Sequence, residues 1–274
     1  MNYDNLLELR GVTTKTQRAT LEFFGLIISI IVWQLAALYV NKNSVLPSPF
    51  LPIWNGDSNP KTSVLMAIPE IWVSDLLLKN TLYSLFLNVS SYAIAIIIAL
   101  PVGFAIGLSP IAHGLFNRPV DAIRFLPLTA VTGLFIAWFG IYTNMKIFFL
   151  AFGIIVYLVP VIVQRILEVE EVYIQTVQTL GATKWQTISK VFMPAALSRI
   201  SDDIRVLTAI SWTYIVVAEL LNNEGGIGAL TFRTSRQGRL DKTFLALAVI
   251  ILLGICQDKI FSFIDKKMFK FKTT

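Results

Sequence analysis

Six apolar runs constrain what this chain of 274 residues can fold into. They cover about residues 21–40, 82–108, 122–141, 145–164, 206–221 and 243–264. The hydrocarbon core of a bilayer is about 30 Å thick and takes roughly 20 apolar residues per helix. Only 15% of the residues are charged, against roughly 25% in soluble domains. The sequence therefore predicts an all-α polytopic membrane protein with six transmembrane helices.

Hydropathy divides the chain into three segments. Residues 1–21 are a polar N-terminal segment, 22–266 the membrane domain and 267–274 a basic tail. The first apolar run exceeds the roughly 7 to 15 residues of a signal peptide, and no small-x-small cleavage site follows it, so we expect it to remain as a span. Six spans place both termini on one side, and most of the 23 basic residues then lie on that side. The positive-inside rule predicts cytoplasmic termini.

Between the first two runs the chain is polar. Residues 41–80 are rich in proline, asparagine, serine and aspartate, with a semi-apolar stretch near 68–78. This composition predicts an external loop with a short interfacial helix. Pro101 and Pro127 fall inside two predicted spans, where they indicate bends.

Composition and motifs exclude several classes of function. The net charge of +6 comes from basic residues placed between apolar runs, which is typical of membrane topology rather than nucleic-acid binding. Cys256 is the only cysteine, so neither an intrachain disulfide nor a cysteine-based metal site is expected. The glycines at 225, 226 and 228 lack the Gly-Lys-Ser/Thr of a phosphate loop. We expect no metal or cofactor on this chain and no catalysis by it.

The longest polar interruption, residues 165–205, begins with one short amphipathic helix. Ile174, Val177 and Leu180 recur at helical spacing. Gly181 follows, and a glycine just past a helix can take the left-handed conformation that closes it. The pattern predicts a helix that ends at this glycine.

A second short helix is predicted directly after the first. Thr183 followed by Gln186 fits a capping box, and Pro194 is expected to stop or kink the helix. Its apolar positions are Trp185, Ile188, Val191 and Phe192. A compact helix-turn-helix of this kind can dock in a groove on a soluble subunit. An interfacial helix pair without a partner would show the same pattern.

This interruption resembles the cytoplasmic signature loop of ABC importer permeases. That loop reads Glu-Ala-Ala, three residues, Gly, nine residues, then Ile-x-Leu-Pro, and it forms the coupling helices. Gly181 and Pro194 match it in type and spacing, and Val191 and Met193 stand in for the Ile and Leu. The resemblance implies that residues 171–195 dock on an ATPase subunit.

In this chain the Glu-Ala-Ala positions are occupied by Gln175, Thr176 and Val177, which depart from the family pattern. A glutamine at the first position cannot make the ion pair that a glutamate could make. The resemblance implies that the residues facing the ATPase are Gln175, Thr176, Val177, Gly181, Ala182, Trp185 and Pro194.

Further segments resemble the nitrate, sulfonate and taurine branch of these permeases. They are VLPSP at 45–49, NTLYSL from 80, GFAIGLSP from 103, WFGI from 138 and VAELLNNEGGIGAL from 217. The resemblance implies a type I ABC importer permease fold in a bacterial plasma membrane. It also implies a second permease copy, two cytoplasmic ATPases that bind ATP and magnesium, and an external solute-binding protein. The implied solute is a small oxyanion such as nitrate, bicarbonate, a sulfonate or taurine.

Four basic residues cluster between the last two predicted spans. Arg233, Arg236, Arg239 and Lys242 face one local acid, Asp241. Either the cluster is a solvated external loop, or it forms an electropositive surface that meets an anionic solute or an acidic delivery protein.

Polar and aromatic residues within the third and fifth spans are candidates for the solute pathway. They are Thr132, Phe135, Ser211, Trp212, Tyr214 and Glu219. Packing in the core is the alternative for the aromatic residues. An acid within a span is costly and usually faces a partner or a cavity. For Glu219 a structural hydrogen bond or ion pair is one interpretation, and a role in gating is the other.

Two other classes of function remain open. An ion-coupled secondary transporter or channel would need ionisable residues within its spans, and Glu219 is nearly the only one. A membrane scaffold would anchor other proteins without transport. Copurification of an ATPase and ATP-dependent uptake would separate these classes from an ATP-driven importer.

Overall fold

The computed structural model describes residues 14–40, 46–50, 63–221 and 224–272, and it is helical nearly throughout this part of the chain. The helices are α1 (Lys15–Tyr39), α2 (Ile68–Val73), α3 (Leu77–Leu108), α4 (Pro110–Ile123), α5 (Leu128–Phe139), α6 (Thr143–Leu167), α7 (Glu171–Thr179), α8 (Lys184–Thr187), α9 (Met193–Leu220), α10 (Ile227–Arg236) and α11 (Leu240–Met268). A π-helical turn at Ile188–Phe192 joins α8 to α9, and a 3₁₀ turn at Lys270–Lys272 follows α11.

Five of the six predicted spans each fall on one helix, whereas the third, 122–141, is divided between the end of α4 and α5. Within the described residues, α1, α3, α6 and α11 are long and apolar enough to cross a membrane. A fifth span results if α4 and α5, which meet at 102°, count as one broken span. The helix α9 has 28 residues, but its first half carries Asp202, Asp203 and Arg205. Its apolar part is therefore confined to the second half.

The prolines mark one bend. Pro127 immediately precedes α5, at the 102° angle between α4 and α5. Pro101 lies inside α3 without interrupting it. In the predicted external loop, α2 forms the expected short helix, whereas residues 41–45 and 51–62 lie outside the described part.

Two compact units divide the chain. The first consists of residues 1–75 and 234–245. Within it, α1 begins with a capping box between Thr14 and Gln17. The indole of Trp33 donates to the carbonyl of Pro47 at 3.1 Å and packs 5.6 Å from the ring of Phe244. These contacts fix the second half of α1 within this unit.

The second unit consists of residues 76–233 and 246–274, and its core lies among α3, α6 and α9. Glycines let α3 approach α6 closely, as small residues do between membrane helices. A Cβ at Gly103 would lie 2.5 Å from the Ile162 side chain, and one at Gly107 would lie 2.8 Å from that of Ile166. These helices form the frame for the two turns described next.

Candidate coupling site and the contacts of α9

The helix α7 ends in a Schellman motif, as the glycine predicts. Gly181 has φ +77°, and its N–H donates to the carbonyl of Gln178 at 2.9 Å. The N–H of Ala182 donates to the carbonyl of Val177 at 3.0 Å. These two bonds satisfy carbonyls that the helix end would otherwise leave unpaired. The turn direction is therefore set by local backbone bonds.

The capping box that opens α8 is also confirmed. Thr183 accepts from the N–H of Gln186 at 3.3 Å, and the Gln186 side chain accepts from the N–H of Thr183 at 2.8 Å. Both bonds satisfy donors at the helix N-terminus.

Of the two outcomes expected at Pro194, a stop or a kink, the stop is wrong. The helix continues from α8 through the π-helical turn into α9, and Pro194 occupies the first turn of α9. A proline ring clashes with the carbonyl four residues earlier in a regular α-helix. In the widened turn, the N–H of Met193 instead bonds to the carbonyl of Ile188, five residues back. The chain thereby passes the proline without ending the helix.

The α7–α8 turn presents apolar side chains at the surface. Leu180 is 81% exposed and Trp185 is 71% exposed. Of the predicted ATPase-facing residues, Gln175, Thr176 and Gly181 are also exposed, whereas three others are half-buried. The half-buried residues are Val177, Ala182 and Pro194. The exposed face is therefore narrower than the predicted set and centres on the tip of the turn.

Ion pairs hold the start of α9 against the end of α6. The guanidinium of Arg165 donates to both oxygens of Asp203 at 2.7 and 2.8 Å and to Glu168 at 2.7 Å. Two parallel bonds give an arginine–carboxylate pair a defined geometry. The bond from Arg165 lowers the pKa of Glu168, so this carboxylate stays ionised at neutral pH. The first half of α9 is thus fixed to the end of α6, which leads into the α7–α8 turn.

A cavity of about 470 Å³ lies beside this turn. Its wall includes the last residues of α3 and α6, Leu108 and Leu167, and it also includes Ile174, Ile188 and Phe192. The apolar positions of the two short helices therefore partly line this space rather than packing solidly against the spans.

Three predicted pathway residues lie in the interior of this chain. Phe135 is 6% exposed and packs edge-on against Phe149 at 5.6 Å. Ser211 and Trp212 are buried as well. Their side chains face other helices, which favours packing in the core, the alternative for the two aromatic residues; the pathway role of all three stays a prediction.

A buried polar network explains where Ser211 and Trp212 point. Asn88 of α3 donates to the hydroxyl of Ser211 at 2.9 Å. The indole of Trp212 donates to Gln257 of α11 at 2.8 Å, and Gln257 donates to Asn88 at 3.0 Å. Polar side chains buried in this way hydrogen-bond across helices in place of water. Sequence reasoning missed Asn88 and Gln257, although each is a polar residue within a predicted span.

Thr132 and Tyr214 are half-buried. The hydroxyl of Thr132 donates to the carbonyl of Thr129 at 2.7 Å, within its own helix. Both residues stay predictions for the pathway.

Glu219 takes part in hydrogen bonds rather than lying on an open surface. Its side chain is fully buried, and its two oxygens accept from the hydroxyl of Ser84 and from the N–H of Gly228 at 2.7 Å. The N–H of Ile227 donates to Ser84 at 2.8 Å, and that of Gly226 donates to Asn80 at 2.9 Å. Of the two interpretations from sequence, the structural hydrogen bond is the one that the geometry supports.

Glycines are required where the turn that opens α10 meets α9. A Cβ at Gly226 would overlap the carboxylate of Glu219, and a Cβ at Gly228 would lie 2.7 Å from the Cα of Val216. Gly225 and Gly226 also have φ values of +123° and +111°. The glycine-rich segment therefore serves close packing against α9.

The basic cluster is not a loop facing a single acid. Arg233 and Arg236 lie on α10, and Lys242 lies on α11. Arg239 pairs with Glu70 at 2.6 Å and with Asp241 at 2.9 Å.

Acids from remote parts of the first unit pair with members of this cluster. Lys242 pairs with Glu70 at 2.7 Å and with Asp75 at 2.7 Å. The bonds from Arg239 and Lys242 lower the pKa of Glu70 to about 2, so it remains ionised at neutral pH. Glu70 and Asp75 are distant in sequence from the cluster, so no sequence pattern indicates these pairs.

Comparisons with known proteins agree on one family. A family model described as the binding-protein-dependent transport system inner membrane component matches residues 58–270. A putative ABC transporter permease protein of Methanocaldococcus jannaschii is 26% identical over 266 residues, which cover 95% of this chain and 96% of that protein. The taurine transport system permease protein TauC of Escherichia coli strain K12 is 27% identical over 241 residues, covering 88% and 84%.

A third relative and a solved structure extend the comparison. The putative aliphatic sulfonates transport permease protein SsuC of Bacillus subtilis strain 168 is 26% identical over 251 residues, covering 90% and 86%. The MetNI methionine ABC transporter in an inward-facing conformation matches with a TM-score of 0.62 and 19% identity, over 75% of this chain and 99% of the matched chain. At that identity the likeness shows the shared fold.

Proposed function

The chain belongs to the family of binding-protein-dependent transport system inner membrane components, and on that basis we propose that its α7–α8 turn is the surface on which an ATPase subunit docks. The protein is a membrane permease subunit of an ABC importer. ATP hydrolysis then takes place on separate subunits that hold ATP and magnesium, and this chain contributes conformational change.

The observation that carries the docking proposal is the pair of exposed apolar side chains at the tip of the turn. Leu180 and Trp185 project from a backbone fixed by the Schellman motif and the capping box. Aromatic side chains that become buried in a partner's pocket contribute strongly to protein interfaces. The departures at Gln175–Val177 remove a charge from this surface, so packing carries the interaction.

The family supports the proposed assembly, and the distribution of basic residues supports the proposed orientation of the termini. A second permease copy completes the pathway, an external protein delivers the solute, and both termini lie in the cytoplasm. Because α8 runs into α9 without a break, a movement of the docked ATPase acts directly on that helix. Thr132 and Tyr214 remain the pathway positions not enclosed by this chain.

The proposed solute is a small sulfonate or a related oxyanion. The relatives named for taurine and for aliphatic sulfonates support this class. The basic cluster gives less support than its charge suggests, because Arg239 and Lys242 are paired with acids.

A pair of variants at Gly181 tests the docking proposal. Valine is poorly tolerated at a φ of +77°, whereas asparagine is enriched in this left-handed region. No atom lies within 4 Å of a Cβ placed there, so the two variants differ mainly in backbone strain. In complexes purified with their ATPases and reconstituted in vesicles, Gly181→Val should lose ATPase subunits and ATP-driven uptake of taurine, and Gly181→Asn should keep both.

The outcome that contradicts the proposal is full assembly and uptake with Gly181→Val. Uptake driven by an ion gradient without ATP would instead support the secondary transporter.

A further inference from the structure

The helix that starts at the α7–α8 turn ends at the buried Glu219. From Lys184 to Leu220 the backbone is helical without interruption, through α8, the π-helical turn and α9. The helix α9 alone has 28 residues, which at 1.5 Å per residue correspond to about 42 Å. The proposed docking surface and Glu219 therefore lie at opposite ends of one helical element.

At its far end, this element provides hydrogen-bond acceptors for the first turn of α10. The first N–H groups of a helix have no partner within the helix. In α10, the N–H of Ile227 bonds to Ser84 of α3 and the N–H of Gly228 bonds to Glu219 of α9. The side chains that place the start of α10 thus belong to two other helices.

The fit around Glu219 leaves no room for independent movement. The side chain is fully buried, and Gly226 and Gly228 approach it and Val216 so closely that neither could carry a Cβ. A buried donor that loses its acceptor is destabilising, because it has already given up its hydrogen bonds to water. When α9 shifts, the start of α10 must either follow it or lose these bonds.

We infer that Glu219 is a positioning residue that makes the first turn of α10 follow α9, so that a movement imposed at the α7–α8 turn reaches α10. The inference rests on the proposed function, because that function supplies the movement. It assigns to Glu219 neither contact with the solute nor proton transfer. The carboxylate suits the task, because its two oxygens accept from donors on two different helices at once.

The test measures how far ATP changes the accessibility of α10. In a Cys256→Ala background, a Ser235→Cys substitution places a single thiol on an exposed position of α10. The permease is purified as the complete complex with its ATPases, and the rate of maleimide labelling is measured with and without ATP and vanadate. This readout requires no knowledge of the solute.

The decisive variant is Glu219→Ala, and Tyr92→Phe is the matched control. Tyr92 also joins α3 to α9, through a 3.4 Å hydrogen bond to Thr208, but this bond does not involve α10. With Glu219→Ala, we expect the ATP-dependent change in labelling rate to fall about tenfold, within the range of coupling between sites. The ATP hydrolysis rate should persist, and Tyr92→Phe should keep the full change.

A second variant keeps the test valid if Glu219→Ala does not fold. Ser84→Ala removes the side-chain donor to Glu219 and the acceptor of the Ile227 N–H, and it should reduce the ATP-dependent change in the same direction. An unaltered change in a folded Glu219→Ala or Ser84→Ala complex would overturn the inference and leave the proposed function in place. An absence of any ATP effect in the wild-type complex would overturn both.

Discussion

The α7–α8 turn and the turn that opens α10 differ in where the first N–H groups of the following helix find their acceptors. Each contains a glycine at positive φ and leads into a helix whose first N–H groups need acceptors. At the first turn the acceptor is Thr183, which belongs to the turn itself. At the second the acceptors are Ser84 and Glu219, from α3 and α9.

This difference distinguishes a docking surface from the buried contact between α9 and α10 at Glu219. A turn that satisfies its own backbone keeps its shape without tertiary contacts, and its outer face stays available to a partner. A turn whose backbone is satisfied by other helices is buried and moves only with them. The two therefore differ in what a substitution should disturb.

The sharpest contrast comes from adding one methyl group to each turn. Gly226→Ala places a Cβ into the Glu219 carboxylate at a φ of +111°. Overpacking and backbone strain together should lower the free energy of unfolding by about 3 kcal/mol or more. Gly181→Ala meets no atom within 4 Å, so only a strain of about 1–2 kcal/mol is expected.

Thermal unfolding of the two purified variants measures this contrast. The melting temperature of Gly226→Ala should lie well below that of Gly181→Ala, or the protein should fail to accumulate. Equal melting temperatures would mean that the packing of Gly226 against Glu219 is less tight than the contacts indicate.

The next largest effect concerns the buried hydrogen-bond network around Asn88. Asn88→Leu removes the bonds to Ser211 and Gln257 and leaves buried partners unsatisfied. Interhelical hydrogen bonds in membranes contribute roughly 1–2 kcal/mol in model peptides. We expect a lower melting temperature and unchanged ATPase binding, measured by copurification. A loss of ATPase binding would show that this network is not independent of the docking turn.

A smaller effect is expected at the cap of α8. Thr183→Ala removes a side-chain acceptor, which costs about 1 kcal/mol in helix capping. Because the cap lies at the exposed turn, the loss should appear as weaker ATPase affinity rather than as a lower melting temperature. Thr183→Ser keeps the hydroxyl and should behave like the wild type. If the alanine and serine variants bound the ATPase equally, the cap would not contribute to the docking surface.

The smallest effect belongs to the ion pairs of the first unit. The pKa of Glu70 is lowered from 4.5 to about 2 by Arg239 and Lys242. A lowered pKa means that this carboxylate stabilises the fold above pH 4.5, and that the contribution is lost as the pH falls towards 2. The side chain is 43% exposed, so the effect is modest, as for other exposed ion pairs.

The measurement is the difference in melting temperature between the wild type and Glu70→Gln. It should be constant from pH 7 to about 5 and should shrink below pH 4.5. A difference that does not change with pH would mean that the charge of Glu70 is not what stabilises this contact.

What the sequence could predict follows the same division. The Schellman glycine and the capping box depend on residues within five positions of one another, so their pattern predicted them correctly. Ser84 bonds to Glu219, and Glu70 and Asp75 pair with the basic cluster, from remote segments, and a single sequence does not reveal such pairs. At Pro194 the sequence left a stop and a kink both open, because the widened turn before it has no sequence signature of its own.

Pathway residues were the least predictable. Polarity within a span placed Ser211 and Trp212 among the candidates, but a polar side chain in a span can face either a pathway or a buried partner. Here Asn88 and Gln257 are those partners. Hydropathy alone does not distinguish the two cases.

Photocrosslinking at the tip of the α7–α8 turn tests the central claim most directly. Benzoylphenylalanine replaces Trp185 in one variant and Phe125 in the other, two residues that are 71% and 77% exposed. Phe125 lies between α4 and α5, away from the proposed docking surface in sequence. On irradiation of intact complexes, the probe at 185 should attach the ATPase subunit in high yield and the probe at 125 should not. Crosslinking of the ATPase from 125 but not from 185 would contradict the assignment of the α7–α8 turn as the docking surface.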